Sequence, residues 1–109
     1  MAPSCALDAA GLLAQRERYR RAGVGARIVQ RTRLRALVQL GARVDSANVD
    51  ELIAVERECC PFFDLQWAPE LRQLSVSVSL AEHEPGIDAI LEALDVEEPA
   101  VPAARGRLR

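Results

Sequence analysis

Cysteine is the residue type in this chain best suited to chemistry, and two of the three cysteines are adjacent: Cys59-Cys60, followed by Pro61, Phe62 and Phe63. A thiolate is both a nucleophile and a soft metal ligand. Paired thiolates favour Cu(I), Zn(II), Hg(II) or As(III) over hard cations, and a third from Cys5 would complete a trigonal sulfur site. Two conditions apply: the start of the chain must lie near the helix end that carries the pair, and that helix must distort there, because neighbouring helical side chains diverge by about 100°. The ordinary alternative is that cysteine fills core space as a small hydrophobe. For Cys5 alone that would suffice, whereas an adjacent pair beside a proline at a helix end favours a site. Three cysteines cannot all pair within one chain, and a reducing compartment would hold them as thiols, which points to metal binding or reactivity before a structural disulfide.

Glu56 and His83 are the other candidates for the site. Glu56 lies one turn before Cys60, where a carboxyl could supply an oxygen ligand or act as a base, although a glutamate in mid-helix is ordinarily solvated or ion-paired. His83, the sole histidine, could be a fourth ligand, but the polar stretch Glu82-His83-Glu84 reads first as a surface loop. Arg57 and Arg16 would favour a thiolate, and the negative end of the helix dipole would oppose one. Phe62, Phe63 and Trp67 could exclude water from the sulfurs, yet core packing alone would produce the same spacing.

The elements that must position these residues follow from hydrophobic period. Leu7 to Arg21 is rich in helix formers, with Asp8 as a candidate N-cap, and Gly23 and Gly25 stop it. Val24 to Arg31 and the run from Leu34 to Leu40 alternate as two strands, joined through Thr32-Arg33. Asn48 and Glu51 fit a capping box for a second helix, and Pro61 ends that helix at or just before the cysteine pair. Phe63, Leu65 and Trp67 form one face of a third strand, and Leu74, Val76, Val78 and Leu80 one face of a fourth. Pro85-Gly86 precedes Ile87, Ile90, Leu91 and Leu94, the spacing of an amphipathic helix. The order α-β-β-α-β-β-α predicts an α+β two-layer sandwich: a four-stranded antiparallel sheet with helices on one face, ferredoxin-like or related. Residues 1–96 form a single domain in this reading, with 97–109 a flexible tail.

Composition narrows the function classes. All fourteen basic residues are arginines, and the net charge is −2. Nine arginines fall in residues 1–43, whereas most carboxyl groups fall after residue 43, so the halves are electrostatically complementary. The arginines alternate along strands and do not concentrate on a recognition helix, which disfavours nucleic-acid binding; solvated faces meeting the acidic half, or a partner subunit, are the simpler reading. The absence of a basic leader or long apolar run predicts a cytoplasmic protein with no membrane partner.

The segment Glu56-Arg57-Glu58-Cys59-Cys60-Pro61-Phe62-Phe63-Asp64-Leu65 resembles a group of short, mostly uncharacterised bacterial proteins with an ER-x-CCPF-x-x-F/L-x-L signature. Its members often carry an N-terminal cysteine followed closely by leucine, as in Cys5-Ala6-Leu7. The resemblance implies that Cys5, Cys59 and Cys60 belong together, and it supplies no mechanism. The stretch Ala81 to Gly86 departs from the group's shorter turn, so a role for His83 is not implied group-wide. Three functions are therefore expected, in this order. The first is a soft-metal binding protein (chaperone, buffer or sensor component) with Cys59, Cys60 and Cys5 as ligands and Glu56 and His83 as candidates. The second is a small thiol- or metal-dependent enzyme. The third is a homodimeric module with structural cysteines, for which Leu37 and Val29 offer apolar contacts on otherwise polar strand faces.

Overall fold

Aspartate starts both long helices. In the computed structural model, which describes residues 8–96, helix α1 (Ala9–Ala22) and helix α2 (Ser46–Cys59) follow Asp8 and Asp45. Asp8 Oδ1 accepts from the Gly11 N–H at 2.8 Å, and Asp45 Oδ1 from the Ala47 N–H at 3.0 Å. Each satisfies a helix-end donor that would otherwise have no partner. The second helix thus begins before the expected capping box at Asn48, whose side chain instead donates to the Arg18 carbonyl at 3.0 Å and ties α2 to α1.

Strands β1 (Arg27–Arg31), β2 (Arg35–Gln39), β3 (Phe63–Ala68) and β4 (Gln73–Val78) make one sheet in the order β1-β2-β4-β3, every neighbouring pair antiparallel. The predicted α-β-β-α-β-β-α order and two-layer architecture are what the chain adopts. Residues α1-β1-β2 and α2-β3-β4 form two successive αββ units, and α3 (Glu84–Leu94) completes the helical layer. Because β4 inserts between β2 and β3, the β2-α2-β3 passage is a split βαβ unit, the element shared with ferredoxin-like folds. It places the end of α2 directly before β3.

The core lies between the layers. Val38, Leu65, Leu74 and Val76 from the sheet pack with Leu52, Ile87 and Leu94 from the helices, all fully buried. The alternation read in β4 holds as far as Val78, with Leu74, Val76 and Val78 facing the core and Gln73, Ser75 and Ser77 facing away. Leu80, expected on the same buried face, lies beyond the strand end and is exposed, because the chain turns there into the following 3₁₀ turn. Further boundaries differ from expectation. Val24 to Ala26 belong to the turn before β1, which needs the left-handed Gly25 (φ 74°). Helix α3 opens at Glu84 after a 3₁₀ turn over Ala81–His83, so Pro85 and Gly86 lie inside its first turn, where the proline's missing N–H costs nothing.

Charge complementarity between the halves takes concrete form. Arg18 pairs with Glu51 at 3.4 Å, Arg31 with Asp88 at 2.8 Å and Arg33 with Glu84 at 3.6 Å, each joining an arginine of the first half to an acid of the second. No described helix is long and apolar enough to cross a membrane. The predicted tail, residues 97–109, lies outside the described residues, as does Cys5.

Candidate functional site

Helix α2 ends on its cysteines for a local reason. The residue before a proline is pushed out of the helical region by the ring, and Cys60 accordingly leaves it, at φ −135° and ψ 77°, while its N–H still donates to the Glu56 carbonyl at 2.7 Å. The Cys60 carbonyl then accepts from the Phe63 N–H at 3.2 Å, turning the chain into β3. Cys59, the last helical residue, is buried and disulfide-bonded. Cys60 is a half-buried thiol. The expectation of three reduced thiols therefore does not describe this state, in which one sulfur of the adjacent pair is oxidised.

One turn back, Glu56 is neither solvated nor ion-paired among the described residues. Only 8% of it is exposed, and its Oε1 accepts two hydrogen bonds from α1: the Tyr19 hydroxyl at 2.7 Å and Gln15 Nε2 at 3.1 Å. Gln15 Nε2 also donates to the Leu52 carbonyl at 3.0 Å, and its Oε1 accepts from Arg18 Nη1 at 2.8 Å. A buried carboxyl is tolerated only where donors replace water. Here they come from a neighbouring helix, so the network fixes how α1 lies on the end of α2.

Tyr19 carries the electrostatic signature of this junction. Its burial, then the Glu56 carboxylate beside it, the hydrogen bond to that group and finally the nearby Cys60 push its hydroxyl well above the usual tyrosine value. The folded state therefore prefers the protonated phenol. This contribution to stability is complete below the ordinary value near 10 and is lost as pH rises above it. Because Tyr19 is the only tyrosine, tyrosinate absorbance reads it alone. In native protein the tyrosinate signal should emerge only above pH ~10 and together with unfolding, whereas denatured protein should titrate near 10. A native titration at the ordinary value would contradict the buried geometry.

His83 ends the 3₁₀ turn and stacks on Phe62, with ring centroids 4.5 Å apart. Its Nε2 lies 3.7 Å from Glu82, and its buried Nδ1 has no hydrogen-bond partner among the described residues. Phe62 also meets Phe63 at 4.6 Å, so the aromatic cluster covers the segment just after the cysteines. Phe63 and Trp67 pack against the core, which is their ordinary role. Arg57, a candidate thiolate partner, donates to the Leu65 carbonyl at 3.3 Å. Among the described residues no group of three or more histidine, cysteine, aspartate and glutamate side chains is placed to hold a metal ion.

The structure unites Cys59, Cys60 and Glu56 on one helix turn and adds two residues the sequence reading passed over, Tyr19 and Gln15. A signal for them existed. Gln15, Tyr19 and Ala22 are the buried residues of α1, spaced as one helix face, and polar side chains on a buried face require partners. No family model, curated protein or solved structure matches this chain.

Proposed function

We propose that this protein binds a soft metal ion through the thiolates of Cys59 and Cys60, with Cys5 as the third sulfur. The observation that carries the reading is the disulfide at Cys59. A disulfide forms only when a second sulfur comes within bonding reach, and an arrangement that does this under oxidation brings sulfurs within reach of one ion under reduction. Cys60, the next residue and a thiol, adds its sulfur at the same helix end. Such a ligand set takes Cu(I), Zn(II) or Hg(II), and the metal requires the reduced form because the thiolate is the ligand. Glu56 then orients the helix end through Tyr19 and Gln15, and the Phe62–Phe63–His83 cluster limits solvent beside it.

The test is anaerobic titration of fully reduced protein with Cu(I), Zn(II) and Hg(II), read by native mass spectrometry. One ion per chain is expected. Changing partners outside the ligand set typically costs 10- to 100-fold in affinity, so losing both sulfurs in Cys59→Ser/Cys60→Ser should cost more than about a hundredfold, and Cys5→Ser should weaken binding too. Unchanged binding in every variant would end the proposal.

A second reading, a small thiol enzyme exchanging disulfides, is favoured by the coexistence of the Cys59 disulfide and the adjacent Cys60 thiol. An external thiolate would attack the disulfide, form a mixed disulfide and release the second sulfur as thiolate. Equilibration of Cys59 with glutathione buffers, in protein that takes up no metal, would favour this reading over the first.

A further inference from the structure

The face of the sheet turned away from the helices carries a charge pattern unrelated to the cysteines. Arg35 on β2 and Asp64 on β3 both stand opposite Ser77 of β4, one on each side, so Arg35, Ser77 and Asp64 form a single cross-strand row. The next row is Leu37, Ser75 and Gln66, and the one after it Gln39, Gln73 and Ala68. With strands about 4.8 Å apart, the Arg35 and Asp64 backbones are separated by roughly 10 Å across β4. Neither residue forms an ion pair with a described residue. Arg35 only reaches Ser75 Oγ at 3.3 Å and Gln30 Oε1 at 3.5 Å, and Asp64 accepts from Gln66 Nε2 at 3.2 Å. The small serines of β4 form the floor of a shallow groove of about 450 Å³ between these longer side chains.

A row that reads positive, small, negative about a central strand is complementary to itself. Rotation by a two-fold axis lying along β4, midway between two stacked sheets, exchanges the β2 side with the β3 side. Arg35 of one copy then lies over Asp64 of the other, twice, while Ser75 and Ser77 meet their own counterparts and Leu37 lies over Gln66. We propose that this face receives a second copy of the same chain, packed sheet to sheet in an isologous dimer. The serines let the sheets approach to the ordinary spacing of about 10 Å. Of the two apolar residues expected to support a homodimer, Leu37 lies within this groove. Val29 sits at the bulge in the edge strand β1, outside the paired rows. A nucleic-acid strand fits the face less well, because the groove presents the acidic Asp64, and Trp67, the aromatic residue in its lining, packs against the core.

Sedimentation at low salt on the full chain tests the proposal. Wild type should dimerise and dissociate as salt rises. Arg35→Glu gives a face with two acids, and Asp64→Arg one with two arginines, so each variant alone sets like charges against each other twice. With two like-charge contacts per dimer, each variant should weaken self-association by tenfold or more. An equimolar mixture of the two variants should recover dimerisation, since each doubly negative face meets a doubly positive one. Both positions are exposed, and circular dichroism checks that each variant is folded. Wild type that stays monomeric at its solubility limit would overturn the inference. So would folded single variants that associate like wild type, or a mixture that stays monomeric.

Discussion

Glu56→Ala should unfold about 3 kcal/mol more easily than wild type, the largest effect of any single change near the cysteines. Removing the carboxyl leaves the Tyr19 hydroxyl without its acceptor and takes one of two acceptors from Gln15 Nε2, all inside the α1–α2 contact. Each buried donor left without an acceptor costs about 1–3 kcal/mol, and the deleted side chain also leaves a void. Glu56→Gln keeps an acceptor oxygen in the same place and should lose roughly 1 kcal/mol. Urea unfolding of the two variants separates these outcomes. A Glu56→Ala midpoint equal to wild type would mean that the network does not hold the helices together. The same variant also bears on the sulfur site, because Glu56 sits one turn from Cys60 and sets the position of that turn against α1. On the proposed metal-binding reading, affinity should fall too in Glu56→Ala, whose carboxyl is not one of the proposed sulfur ligands.

Gly23→Ala should cost about 3 kcal/mol or more. This glycine caps α1 with an ordinary right-handed backbone (φ −83°), so it is not needed for conformational freedom. It is needed for space. A Cβ there would stand 1.8 Å from the Leu94 carbonyl oxygen and 2.6 Å from its carbon, both backbone atoms at the end of α3. Helix α3 cannot withdraw cheaply, since Ile87, Ile90, Leu91 and Leu94 anchor it in the core. Thermal or urea unfolding measures the loss, and stability within about 0.5 kcal/mol of wild type would show that the α1–α3 contact yields freely. Gly25, two residues on, is glycine for the opposite reason: its φ of 74° lies where a side chain is strained, although a Cβ there would meet Gly41 Cα only at an ordinary contact distance of 3.8 Å.

The architecture was legible in the chain because each element carries its own short-range signal. Alternation in Leu74 to Val78 required a strand with one buried face, and the Ile87, Ile90, Leu91, Leu94 spacing required a helix. Pro61 required α2 to stop where it does, which by itself puts the cysteines at a helix end. Helix starts were less legible. Asp45 and Asn48 are both good capping residues, and local chemistry does not choose between them. The choice fell to Asp45 once Asn48 was drawn to the Arg18 carbonyl of a helix distant in sequence.

The roles of individual side chains at the site depended on such distant contacts. As a mid-helix glutamate, Glu56 reads as solvated, and only the approach of Gln15 and Tyr19 from α1 makes it a buried hydrogen-bond centre. His83 reads as a loop residue and sits against Phe62 because the 3₁₀ turn folds back over the start of β3. Period and punctuation act within a few residues, so the chain alone determined its helices, its strands and the placing of the thiols at a junction. Which polar groups meet across that junction, and which charges face one another across β4, are matters of register and helix packing between residues tens of positions apart. Those distances in sequence are closed only when the layers pack, which is why the partners of Glu56 and the Arg35–Asp64 row emerged only from the folded chain.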